Sequence, residues 1–235
     1  MIRTRLSGSK FLLSLLTLAA TASTAVAGPP LVCHPLSIGG AKSLPWANNQ
    51  AKDWNAPMGG YDTKNLANDT ISLLDSTEST IVRMETLRRA AIYGTRDAAA
   101  ALDLVQRVRD RALGKSRAKP DALALFDYGY LSETMKQAWW TKEPRNTAGP
   151  TEGVNGYSYI RQALELRGSD AEMEFAAALV TLWPKLPDQQ EHFRRALSGA
   201  EKDPLLVENL LHSFQDRGKS LTELRESANL VANKN

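Results

Sequence analysis

The strongest constraint on how this chain can fold lies between Gly156 and Phe214, where one unit is written twice. Ile160-Arg161-Gln162-Ala163-Leu164 is followed 33 residues later by Phe193-Arg194-Arg195-Ala196-Leu197. Each copy leads to an aspartate that opens a new helix-like run, Asp170-Ala171-Glu172 and then Asp203-Pro204-Leu205. A helix and a start signal that share one offset predict stacked helical hairpins, because one hairpin alone cannot bury its apolar face. A third start signal, Asp121, precedes Asp170 by 49 residues, and the excess of 16 is close to the size of a Pro-, Gly-, Thr- and Asn-rich interruption from Lys142 to Gly156. An array with one insertion, at about 139–155, accounts for both intervals.

Upstream, apolar residues at three-four spacing predict four more helices. The first runs from Thr63 to Leu74. A second is capped by Ser79 or Thr80 and ends at Gly94. A third starts at Arg96-Asp97 and closes at Gly114, and a fourth runs from Pro120-Asp121 towards Ala138. No stretch alternates apolar and polar residues over a strand's length. The expected class is all-α: antiparallel helical hairpins stacked as a short solenoid or an irregular bundle.

In the second copy Met173, Ala176, Ala177 and Val180 form one apolar face, and Phe193, Ala196 and Leu197 form the answering one. Small residues such as Ala177 and Ala196 let two helix axes close up. This pattern resembles the tetratricopeptide (TPR) family over about 156–232 and, loosely, over 82–155. The matching positions are Ala177 in the first helix with Phe193, Ala196 and Leu197 in the second, and Ile160, Ala163, Leu164 and Leu166 in the preceding unit. Two positions depart from the family pattern: Val180 replaces its tyrosine and Gln189 its alanine. The resemblance implies a protein or peptide partner held on the first helices of each unit, Asp121–Met135 and Asp170–Thr181.

The N-terminus predicts export. Arg3, Arg5 and Lys10 precede a charge-free apolar run from Phe11, and Ala25-Val26-Ala27 offers a small-x-small cleavage signal before Gly28. The 17 residues from Phe11 to Ala27 are too few for a membrane span, which needs about 20 mostly apolar residues. A periplasmic or secreted mature chain without a transmembrane span is expected. The leader holds three of the 29 basic residues and no acidic one, so the rest carries 26 of each sign. Net charge then gives no ground for a nucleic-acid partner.

With a single cysteine the exported chain has no internal disulfide and must rely on its core. Residues 28–61 read as an irregular arm: Pro29, Pro30, Pro35, Pro45 and Pro57 interrupt it, and Trp46 and Trp54 are expected to anchor it on a single helical domain, 62–235.

No nucleophile elbow, metalloprotease or phosphate-loop motif is present. Carboxylate pairs such as Glu172 and Glu174 are not spaced to face each other, and with Asp127 and Glu133 they read as solvated charges. No cofactor is expected and no catalytic residue stands out. Binding of a protein or peptide in the bacterial envelope is therefore the leading expectation, with two alternatives. One is a metal- or redox-linked protein using Cys33-His34, whose thiolate and imidazole could ligate a soft metal. The other is an envelope polymer hydrolase with Glu152 or Glu133 as acid. For a partner surface, the aromatic cluster Tyr128, Tyr130, Trp139, Trp140, Tyr157 and Tyr159 surrounds the insertion. A basic run over 107–119, with Arg107, Arg111 and Lys115, offers a patch for an anionic envelope surface.

Overall fold

The computed structural model describes residues 28–47, 55–114, 119–142 and 149–232. The expected leader, Trp54, Lys115, Arg117 and positions 143–148 of the expected insertion lie outside the described residues. Ten α-helices are found among those described: α1 Pro30–Cys33, α2 Leu66–Asp75, α3 Thr80–Gly94, α4 Ala98–Leu113, α5 Ala122–Thr141, α6 Gly156–Arg167, α7 Ala171–Leu182, α8 Gln189–Gly199, α9 Pro204–Ser213 and α10 Leu221–Ala232. No strand forms among the described residues beyond an isolated antiparallel bridge between Trp46 and Pro57. The fold is all-α.

Short polar side chains start most of these helices. A helix leaves its first amides without partners, and an N-cap oxygen satisfies one or two of them. Ser79 caps α3, Asp97 caps α4 and Asp121 caps α5. Asp170 accepts from the Met173 amide at α7, and Asp203 accepts from the Leu206 amide at α9. The two aspartates that mark the repeat thus do the same job at the same offset. The helices before them, α6 and α8, bury corresponding residues, Ile160 with Ala163 and Phe193 with Ala196.

Three helices form the centre. α3, α5 and α7 touch one another, and each is buried around most of its circumference rather than along one stripe. α2, α4, α8 and α10 are amphipathic and lie outside them. Every residue of α3 except Arg89 is buried, including Arg83, Glu85 and Arg88. Such charges are stable only when paired and fully hydrogen-bonded. Arg83 reaches Asp127 at 2.6 Å and the Leu74 carbonyl at 2.6 Å. Glu85 accepts from Arg88 and Arg89, each at 2.7 Å. Burial alone would raise the Glu85 carboxyl, but the two guanidinium groups outweigh it and hold it below its ordinary range.

The arm covers this charged face. Its one helical turn, α1, starts on Pro30, where a missing N–H costs nothing, and packs on α3, α5 and α7. Leu31, Val32, Leu44 and Trp46 are buried. Helix side chains bond the arm's backbone: Gln137 accepts from the Leu31 amide and Glu85 from the Leu36 amide, while Arg88 donates to the Val32 carbonyl and Arg89 to the Leu44 carbonyl. Trp46 lies 5.1 Å from the Arg88 guanidinium, in cation–π range.

Two expectations are corrected here. No residue of 121–135 or 170–181 is exposed, so the first-helix surface implied by the family resemblance is not open to a partner. The central helices turn inwards, and the arm lies over them. α5 also runs on to Thr141, so Trp139 and Trp140 are helical and not part of an insertion. The described end of that segment folds back onto α5, where Thr151 donates to the Ser132 carbonyl and Lys136 to the Val154 carbonyl.

Candidate functional site

The aromatic residues expected at one surface separate in the structure. Tyr128, Tyr130 and Trp139 are buried, with Tyr128 against Tyr159 and Tyr130 stacked on Phe126; they are core and not contact residues. Tyr157 is half-buried in a polar brace across α6, α7 and α8. Its hydroxyl donates to Asp188 at 2.9 Å and meets His192 Nε2 at 2.6 Å, while His192 Nδ1 meets Glu174 at 2.5 Å. The phenol oxygen is held from both sides by its neighbours, which makes this a cross-link between helices rather than a free acid–base group. Trp140 alone of the expected aromatics is an exposed large one, at 43%.

The carboxylates expected to be solvated are mostly structural. Glu172 accepts from Ser79 Oγ and the Ile81 amide at the start of α3. Asp127 and Glu174 are buried in their pairs with Arg83 and with His192. Glu133 accepts from the Gly156 amide at the start of α6 and from Lys136, so the side chain suggested as a hydrolytic acid is a helix cap. Glu152 is exposed.

Arg107 bonds Asp103 and Asn68, and Arg111 bonds Asp75 through both terminal nitrogens. These pairs tie α4 to α2 and neutralise part of the basic run. The Cys33 thiol is raised by burial, opposed in part by the Arg88 charge, which works against a reactive thiolate. The fold does bring a second histidine to the neighbouring residue: the rings of His34 and His212 are 6.3 Å apart, edge to face. Among the described residues no group of three or more His, Cys, Asp or Glu side chains could hold a metal ion.

Two concave regions stand out among the described residues. One, of about 850 Å³, runs beside the arm between Trp46, Arg88 and His212. Its Glu85, Arg88 and Arg89 already satisfy one another and the arm. The other, of about 760 Å³, lies where the end of α5, the α7–α8 turn and the α9–α10 turn meet. Trp140 and Trp183 stand at its mouth with ring centroids 5.1 Å apart and planes at 84°. Leu179, Leu182, Leu186 and Phe214 line it together with Arg217, Gln189 and Ser213. Lys185 sets the turn between α7 and α8 with φ 53, a left-handed conformation uncommon for a side-chain-bearing residue.

Only Trp140 of this groove was identified from sequence as a contact residue. Trp183-Pro184 reads locally as a helix break between α7 and α8, and it is also the segment that places a second large ring beside Trp140. A large aromatic directly before a helix-breaking proline is the signal the sequence offers. Arg217, Gln189 and Ser213 carry none, since each acquires its role from neighbours distant in sequence.

Comparison with family models, with curated proteins and with solved structures finds no match to this chain.

Proposed function

We propose that the protein is an exported, non-catalytic helical-repeat protein that binds a protein or peptide partner in the bacterial envelope, and that it does so at the mouth of the Trp140–Trp183 groove. One observation carries the location. Two tryptophans, 43% and 37% exposed, pack edge to face over an open apolar groove. Large aromatic side chains are usually buried, and an exposed pair beside a concavity is the kind of anchor that dominates binding energy at interfaces. The TPR-like spacing supports a binding role, and the N-terminal leader supports the envelope as its place. Among the described residues no helix is long and apolar enough to cross a membrane.

The test is cross-linked capture from an envelope fraction with the parent and with a W140A/W183A double variant. The reading requires a defined species that the parent retains and the double variant loses, at unchanged melting temperature. Identical capture by both proteins would reject this surface. Fractionation of cells expressing the chain with Ala25 and Ala27 replaced by bulky residues tests export, which predicts loss of the processed form.

A further inference from the structure

The chain enters the described structure at the groove itself. Gly28, the first residue described, lines the same hollow of about 760 Å³ as Trp140 and Trp183. Pro30 and His34, a few residues on, line it as well. This entry point is held by its neighbours. The Pro29 carbonyl accepts from the Val32 and Cys33 amides, and α1 packs on α7. Gly28 adopts φ 74, in the left-handed region, and a Cβ there would stand 2.7 Å from Cys33 Sγ. Glycine, without a Cβ, meets both conditions.

Twenty-seven residues precede Gly28, and the 17 nearest to it, residues 11–27, carry no charge. Leu12, Leu13, Leu15, Leu16 and Leu18 make the first half of that run strongly apolar. An apolar segment in water and an open groove lipped by two exposed tryptophans are each unfavourable. Bringing them together removes both surfaces from water. The ten residues from Leu18 to Ala27 reach about 15 Å as a helix and up to roughly 33 Å when extended, so the leucines come within range of the whole groove. Attachment at the groove wall also raises the local concentration of the segment to about the millimolar range, so a weak intrinsic affinity is enough.

We propose that in the uncleaved chain the apolar leader, residues 11–27, is the occupant of the Trp140–Trp183 groove, so that removal of the leader before Gly28 opens the groove to its partner. The opening step rests on the partner reading and adds its regulation: one surface serves the leader before processing and the partner after it. The chemistry is the same in both states, an apolar segment laid over two exposed rings.

The experiment is disulfide trapping in the uncleaved full chain, made by cell-free translation and carrying C33S to remove the native thiol. L18C in the leader is paired either with Q215C, at an exposed groove residue, or with R109C on α4, which does not line the groove. A disulfide closes only when the two Cα atoms come within roughly 4.4–6.8 Å of each other. L18C/Q215C is expected to close within one chain at least roughly tenfold faster than L18C/R109C. W140A/W183A and, separately, L15S/L16S are each expected to slow that closure roughly tenfold. L15S/L16S alters only the leader, so it decides the matter if the tryptophan variant does not fold. Equal rates for the two cysteine pairs overturn the proposal, as does an unchanged rate in L15S/L16S. A disulfide formed between two chains would assign the groove to a second copy, and equally overturns it. Trapping is read on the isolated chain, so its failure is distinct from a failure of partner capture in an envelope fraction.

Discussion

Asn209 on α9 holds both backbone polar groups of Ser37, accepting from its amide at 2.9 Å and donating to its carbonyl at 2.9 Å, across 172 residues of sequence. The arm is therefore gripped at Ser37 by a side chain from far along the chain. An amide side chain suits this because it offers one donor and one acceptor at the spacing of an extended backbone.

N209A leaves both groups of Ser37 without these partners. Loss of two such bonds is expected to cost about 2–3 kcal/mol, measured as a lower urea midpoint with unchanged helical signal. Limited proteolysis should cut first within 35–44. Parent-like stability and cutting pattern would show that the arm holds without Asn209.

Gly129 marks the closest approach of α5 to α6. A Cβ added there would lie 2.6 Å from the Gly156 carbonyl oxygen and 3.0 Å from Ile160 Cγ1. The obstruction is partly backbone, so it cannot rotate away. G129A normally favours a helix by about 1 kcal/mol; here overpacking of roughly 1–3 kcal/mol or more is expected to outweigh it. A thermal melt decides the sign.

Asp127 and Glu85 are both buried carboxylates of the core, yet they titrate in opposite directions. Burial pushes Asp127 up to about 6, with the Arg83 charge opposing, whereas Glu85 is held low by two arginines. A carboxyl with a raised folded pKa keeps its proton longer in the folded state, so stability falls as pH rises from the ordinary Asp range to about 6. Glu85 does the reverse, contributing stability that is lost as pH falls through its lowered value. D127N removes the first term only. Urea midpoints at several pH values between 4 and 7 are expected to fall less with rising pH in D127N than in the parent, even though loss of the ion pair lowers stability overall. Parallel profiles would mean that Asp127 stays ionised throughout.

Trp140 and Trp183 should separate binding from folding. Each is at least a third exposed, so W140A or W183A alone is expected to lower stability by no more than about 1–2 kcal/mol, less than the 3–5 kcal/mol typical of a buried aromatic. W139A, one residue away but buried, is expected to show the larger loss. Melting curves of the three variants order them directly.

The helix starts were legible from sequence because capping is local. Ser79, Asp97, Asp121, Asp170 and Asp203 bond amides two or three residues ahead, and only neighbouring residues enter that geometry. The all-α class follows from the same short-range information, as does the 33-residue spacing of the paired helices. The burial of α3 was not legible. Arg83, Glu85, Arg88 and Arg89 give that segment the composition of a surface helix; local partners, Glu85 for Arg88 and the Leu74 carbonyl for Arg83, are completed only by Asp127 and the arm, 44 or more residues away.

The candidate groove divides in the same way. Sequence identified Trp140 as an aromatic near a break, and it marked Trp183-Pro184 as the end of a helix. The tertiary structure alone set the two rings together and brought Arg217 over Phe193 and Phe214, within reach of Gln189 and Gln190. It also closed the first-helix surface that a TPR-like array implies, by turning α5 and α7 inwards and laying the arm over them. Local sequence settles where helices begin and which of their faces are apolar, because those depend on neighbours three or four residues away. Which charges are neutralised, and which surface stays open, depends on contacts across the whole chain, and those exist only once it has folded.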